Sequence, residues 1–201
     1  MKGRLSMNSI IKEKLFQHEL WIDSVGRKGQ KLLLEDLVFE DKAVCNMNVS
    51  DSMIVGCKFE RAKIQQIECP SANLCSSTFS FSALSDCNAI KADFCYSEFL
   101  RTTIVTCNFS KTDLSGCAFK RCKIANCKLI NSLLSDCIFE NVEFEQIDFS
   151  GAYLDGVTFG ENIVFRNVIG LLNAHMKDVL VRLPSGDLQG SAAIEWLLKQ
   201  E

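Results

Sequence analysis

Cysteine and histidine are the side chains that most often carry metal or nucleophilic chemistry, and this chain has eleven of the first and two of the second. Cys117, Cys122 and Cys127 resemble a ligand set at first sight. Zinc sites, however, pair their thiolates a few residues apart and bracket a second pair, and no CxxC occurs here. His18 and His175 lie near opposite ends of the chain. Glu143 and Glu145 alternate like two outward strand residues, with no sign of a pocket. No Gly-rich phosphate loop, nucleophile elbow or metal-ligand spacing is present. The expectation is therefore a non-enzymatic chain without catalytic residues, metal or cofactor. Cys57, Cys87, Cys107, Cys117, Cys122, Cys127 and Cys137 share something else: every gap between them is a multiple of five.

That spacing belongs to a pattern covering residues 32–166. Taking every fifth residue from Leu34 gives Phe39, Val44, Val49, Ile54 and Phe59, and the series runs to Val164 without a polar residue or a frame shift. Every fourth member is a phenylalanine: Phe39, Phe59, Phe79, Phe99, Phe119, Phe139 and Phe159. A helix repeats apolar residues at about 3.6 and a strand at 2, so neither explains a period of five. Five nested in 20 predicts a square coil with five residues a side, and repeats of this length signal a solenoid. The second inward position falls two residues earlier, where the chain has Ser52, Ala72, Ser97, Thr112, Ala152 and the seven cysteines. One large and one small inward residue per side would fill a narrow tube.

Four units carry a family resemblance: Ala72-Asn73-Leu74, Ala92-Asp93-Phe94, Thr112-Asp113-Leu114 and Ala152-Tyr153-Leu154. They resemble the A-(D/N)-L-x-x unit of the pentapeptide-repeat proteins over about two thirds of the chain. The resemblance implies an all-β solenoid, a right-handed quadrilateral β-helix of about seven coils with small helical caps. At ladder spacing residues 32–166 make a rod of roughly 32 Å. Cys69 and Ala89 are undersized central residues, and Pro70 beside them cannot donate a ladder hydrogen bond, so a dent is expected there.

Composition narrows the surroundings. The formal net charge is −3, which gives no general signal for binding nucleic acid. No apolar run reaches membrane-spanning length, and the N-terminus lacks a signal-peptide pattern. The expectation is a cytoplasmic protein whose inward cysteines are reduced, small and buried. Cys87, Cys107 and Cys127 should stack about 4.8 Å apart along one column.

Residues 1–31 read as an N-terminal cap with seven basic and three acidic residues. Asn8 or Ser9 would cap a helix reaching about Asp23, with Ile11, Leu15 and Ile22 on its stripe and Trp21 beside it. His18 reads as a partly exposed residue of that helix. Gly26 and Gly29 mark the turn into the first coil. Residues 167–201 read as a C-terminal cap: a helical turn or two over 171–177, a short strand over 179–183, a turn at Pro184-Ser185-Gly186-Asp187, and a last amphipathic helix capped by Ser191. That helix either covers the last coil or packs on a second copy as a homodimer.

With the tube full, function must lie outside. The side centred on Leu34, Ile54, Leu74, Phe94, Leu114, Leu134 and Leu154 presents Glu35, Asp36, Asp93, Asp113, Asp136 and Asp155 and no Lys or Arg. It also shows Leu33, Met53, Val55, Tyr96, Leu133 and Tyr153. An acidic stripe with apolar and aromatic residues suits a basic protein partner. Asp93 and Asp113 also occupy the repeat's own D/N position, so the fold has a use for them. The expected partner-binding residues are Glu35, Asp36, Asp93, Tyr96, Asp113, Asp136, Tyr153 and Asp155. Two functions fit. One is an immunity-type module that neutralises a toxin or effector by direct binding. The alternative is implied by the resemblance: some pentapeptide-repeat proteins of this size mimic DNA and protect gyrase from inhibitors. Duplex DNA carries a charge every 1.7 Å or so, hence on the order of 19 over this rod, against six here.

Overall fold

The computed structural model describes residues 9–201; Asn8, one expected helix cap, lies outside them. The chain forms a parallel β-solenoid of about seven turns. Ladders join each residue to the one 20 further on: Leu34 to Ile54, Phe39 to Phe59, Val44 to Ile64. Among the described residues, the side of the phenylalanines carries a nine-stranded sheet and the side after it a seven-stranded one. The other two sides are joined mostly by single bridges such as Asn73–Asp93–Asp113.

Corners recur every five residues, two past each central residue. Each takes a left-handed backbone, with φ from 49° at Arg101 to 61° at Lys111 outside the glycines. Asp36, Asn46, Asn126 and Asp136 tolerate this conformation easily, whereas Phe81, Tyr96 and Thr106 do not. The repeated ladder imposes it on them.

The phenylalanines stack face to face, with centroids 5.0 Å apart for Phe39–Phe59 and 5.4 Å for Phe139–Phe159. The small inward column does more than save space. Ser77, Ser97 and Thr102 donate to the carbonyls of Ile54, Leu74 and Phe79 at 3.2, 3.1 and 2.8 Å. Cys117, Cys122 and Cys137 reach Phe94, Phe99 and Leu114 in the same way. Each donor thus ties its coil to the central residue 23 positions earlier. Ser52 sits too early in the rod to find such a carbonyl, and its buried hydroxyl has no partner.

Two expectations about the rod need correction. The frame does break: Phe144 pairs with Phe165, 21 residues on, and the corner moves to Asn162. Residues 160–163 hold one extra residue, so Phe165 points inward and stacks on Phe144 at 5.2 Å while Val164 faces out. A further residue enters around the 3₁₀ turn Leu171–Asn173, and Thr158 pairs with Leu180, 22 on. The parallel ladder thus continues to Val181. The dent is also absent. Cys69 and Ala89 keep their ladder bonds to Asn88 and Asn108, both 2.8 Å. Pro70 costs none, because the matching N–H groups of Ile90 and Ser110 turn to the Asn88 and Asn108 side chains. The missing volume lies inside, as an apolar cavity of about 90 Å³ bounded by Cys69, Ala89, Phe79 and Phe109.

Helix α1 (Ser9–Asp23) closes that end, and its Ile11 and Leu15 wall the cavity. His18 is not partly exposed but 1 % exposed, because its Nδ1 accepts the Leu32 N–H at 3.0 Å where the coil begins. Gly29 allows the linker to press on the helix: a Cβ there would lie 2.0 Å from the Gln17 carbonyl oxygen. At the other end Leu180–Val181 pairs antiparallel with Leu188–Gln189. Helix α2 (Ser191–Leu198) then folds onto the last coil of its own chain. Ala193 and Leu197 are buried, Trp196 meets Phe165 edge-on, and the Glu201 carboxylate accepts the Gly170 and Leu172 N–H groups. Gly190, not Ser191, is its N-cap, without a side-chain bond.

Candidate functional site

The acidic side is built from three outward columns. The first runs through Leu33, Met53, Asn73, Asp93, Asp113, Leu133, Tyr153 and His175, joined by ladder pairing. The next holds Glu35, Val55, Cys75, Cys95, Ser115, Ser135 and Asp155. The third is the corner column of Asp36, Gly56, Ser76, Tyr96, Gly116, Asp136 and Gly156. All eight expected partner-binding residues therefore share one side.

Their environments differ. Glu35, Asp36, Asp136, Tyr96 and Tyr153 are exposed, and Asp93, Asp113 and Asp155 are half-buried. Asp93 and Asp113 each accept the N–H two residues ahead, from Cys95 and Ser115, at 2.9 Å. Asn73 does the same for Cys75 at 3.0 Å, so a charge is not needed for this turn. Asp36 and Asp136 serve as left-handed corners (φ 52° and 57°). Tyr96 stands 71 % exposed, while Tyr153, at 40 %, lies flat on His175 with centroids 4.4 Å apart.

The side is less uniformly negative than its repeats alone suggest. Because the ladder continues past residue 166, His175 and the exposed Lys177 join it at one end. At the other end Lys14 of α1 donates to the Leu33 carbonyl at 2.8 Å.

The sequence reading passed over one grouping in the middle of this side. The sulfurs of Cys75 and Cys95 lie 2.7 Å apart, and the ligand atoms of Cys75, Asp93 and Cys95 all fall within 4.8 Å of one another. The signal was there: two outward cysteines separated by one coil length. Patterns that look for thiols two to four residues apart miss it. The Cys87, Cys107 and Cys127 thiols instead point at the Ser85, Val105 and Ala125 carbonyls, and all the cysteines are free thiols. No helix among the described residues is long and apolar enough to cross a membrane.

Known proteins bear on the family. Residues 92–164 match the family described as Pentapeptide repeat region. No curated protein matches the sequence. Among solved structures, HetL, a pentapeptide repeat protein involved in heterocyst differentiation regulation from Nostoc sp. strain PCC 7120, is 12% identical over 84% of this chain and 96% of its own, with a TM-score of 0.34. Full-length QnrB1, a plasmid-mediated fluoroquinolone resistance protein, is 15% identical over 74% of this chain and 91% of its own (TM-score 0.36). A pentapeptide repeat protein of the Arabidopsis thaliana thylakoid lumen is 15% identical over 61% and 68% (TM-score 0.37). The five-residue series through Phe159 and its square coil thus contain, over residues 92–164, a segment that matches the pentapeptide repeat region.

Proposed function

We propose that the protein is a non-enzymatic binding module of the immunity type, which captures a basic toxin or effector protein on its acidic side and neutralises it. The observation carrying this reading is the gathering on one side of six carboxylates with Tyr96, the most exposed aromatic ring among the described residues. Exposed aromatics anchor interfaces, and surrounding charge steers and selects the partner. A coil laddered on every side is already ordered, so little freedom is lost on binding. Six carboxylates flanked by Lys14 and Lys177 make a poor copy of duplex DNA, which weighs against gyrase protection.

The test uses the purified protein as bait in native lysate, beside a variant with Asp93, Asp113, Asp136 and Asp155 all changed to Asn. Asparagine already makes the same turn at Asn73 and the same corner at Asn126, so this variant keeps the fold and loses only charge. The expected result is one basic protein, captured stoichiometrically and released by salt, whose binding the variant weakens. Recovery of gyrase subunits, or equal capture by the variant, would overturn the reading.

A further inference from the structure

The Cys75, Asp93 and Cys95 grouping points to chemistry of its own. We propose that these three side chains bind a thiophilic, closed-shell divalent cation of the zinc class, with water in the fourth position. Two thiolates and a carboxylate are a ligand set that such ions take.

The geometry needs little adjustment. Tetrahedral zinc holds its thiolates at about 2.3 Å, which places two sulfurs about 3.8 Å from each other. The sulfurs now stand 2.7 Å apart. Their coils are neighbours in register, joined by the Asn73–Asp93 bridge and the Ser76 N–H to Cys95 carbonyl bond, so a small side-chain rotation opens the gap. Asp93 is already fixed, since one carboxylate oxygen accepts the Cys95 N–H at 2.9 Å. All three residues are half-buried, which leaves an entry path while thinning the competing water.

Binding a divalent ion must displace the thiol protons of Cys75 and Cys95, because the thiolate is the ligand form. Affinity should therefore rise with pH.

The site shares Asp93 with the proposed partner surface, but its test uses no partner. Fully reduced protein is titrated with Cd²⁺ without oxygen, following the ultraviolet thiolate-to-metal charge-transfer band and the protons released. The expected result is saturation at one equivalent with two protons released. Cys75→Ser and Cys95→Ser should each abolish the band, and Asp93→Asn should weaken binding more than about tenfold. These variants suit the fold, because Ser115 and Ser135 fill the same column one and two coils on and Asn73 makes the same turn as Asp93. Absence of a band with wild-type protein would overturn the proposal. So would a band that survives Cys75→Ser, which would assign the ion to other thiols such as the exposed Cys45.

Discussion

Phe99 lies flat against Phe119, their centroids 4.6 Å apart and their planes 2° from parallel. On its other face Phe79 sits 4.9 Å away, and Phe99 itself is 1 % exposed. The ring is thus held on both faces, with Phe94 tilted against its edge at 6.3 Å. Phe99→Ala would leave a cavity that the ladders cannot close, because the coil spacing is fixed by backbone hydrogen bonds. The expected cost is about 3–5 kcal/mol, read from urea unfolding. A loss below about 1 kcal/mol would contradict the inward stack.

His18 makes the N-terminal cap sensitive to acid. Burial, then the charge of Lys31, lowers its pKa from the usual 6.5. The folded state therefore binds fewer protons than the unfolded one. Its contribution is whole above about pH 6.5 and is lost as the pH falls below that value. Protonation at Nδ1 also breaks the bond from the Leu32 N–H. Hydrogen exchange should show the amides of α1 losing protection between pH 7 and 5 while those flanking Phe99 stay protected. Equal protection of α1 at both pH values would refute the assignment.

Gly29→Ala should undo the same cap by another route. The new methyl group would meet the Gln17 carbonyl oxygen, and φ at this position is +72°. Both effects act on the joint between α1 and the first coil. The expected loss is more than about 1 kcal/mol of cap stability, seen as faster proteolysis near residue 29. Unchanged cleavage would show that the linker has room to move.

Much of this fold was legible because one inward residue in five must be large and apolar. That rule places Leu34 through Phe159 on the correct sides without any structure. It fails after Phe159, where Val164 and Phe165 are both apolar and an extra residue leaves the series looking unbroken. Corners were legible where the residue is Asp, Asn or Gly. They were hidden at Phe81, Tyr96 and Thr106, where the neighbouring coils impose the left-handed turn. His18 was misread because its burial depends on a bond to Leu32, which no helical pattern encodes. The acidic side was legible from counting by five. Its central thiol pair was not, because metal patterns are read along the chain and these ligands meet across coils.

The inward thiols give the remaining prediction, because their packing can be read by alkylation. Burial pushes the thiols of Cys69 and Cys117 up to about 12 and that of Cys122 to about 11. At neutral pH they are protonated, and the thiolate is the reactive form. Cys45 is exposed, and Cys75 and Cys95 are intermediate. Native protein treated with iodoacetamide at pH 8 should be modified first at Cys45 and more slowly at Cys75 and Cys95. The eight buried cysteines should react only after unfolding. Raising the pH to 9 should leave Cys69 and Cys117 largely unmodified, since that is still well below about 12. Site-by-site mass spectrometry reads the order directly. Modification of Cys117 as fast as Cys45 in folded protein would mean that its column faces solvent and the square coil is misassigned.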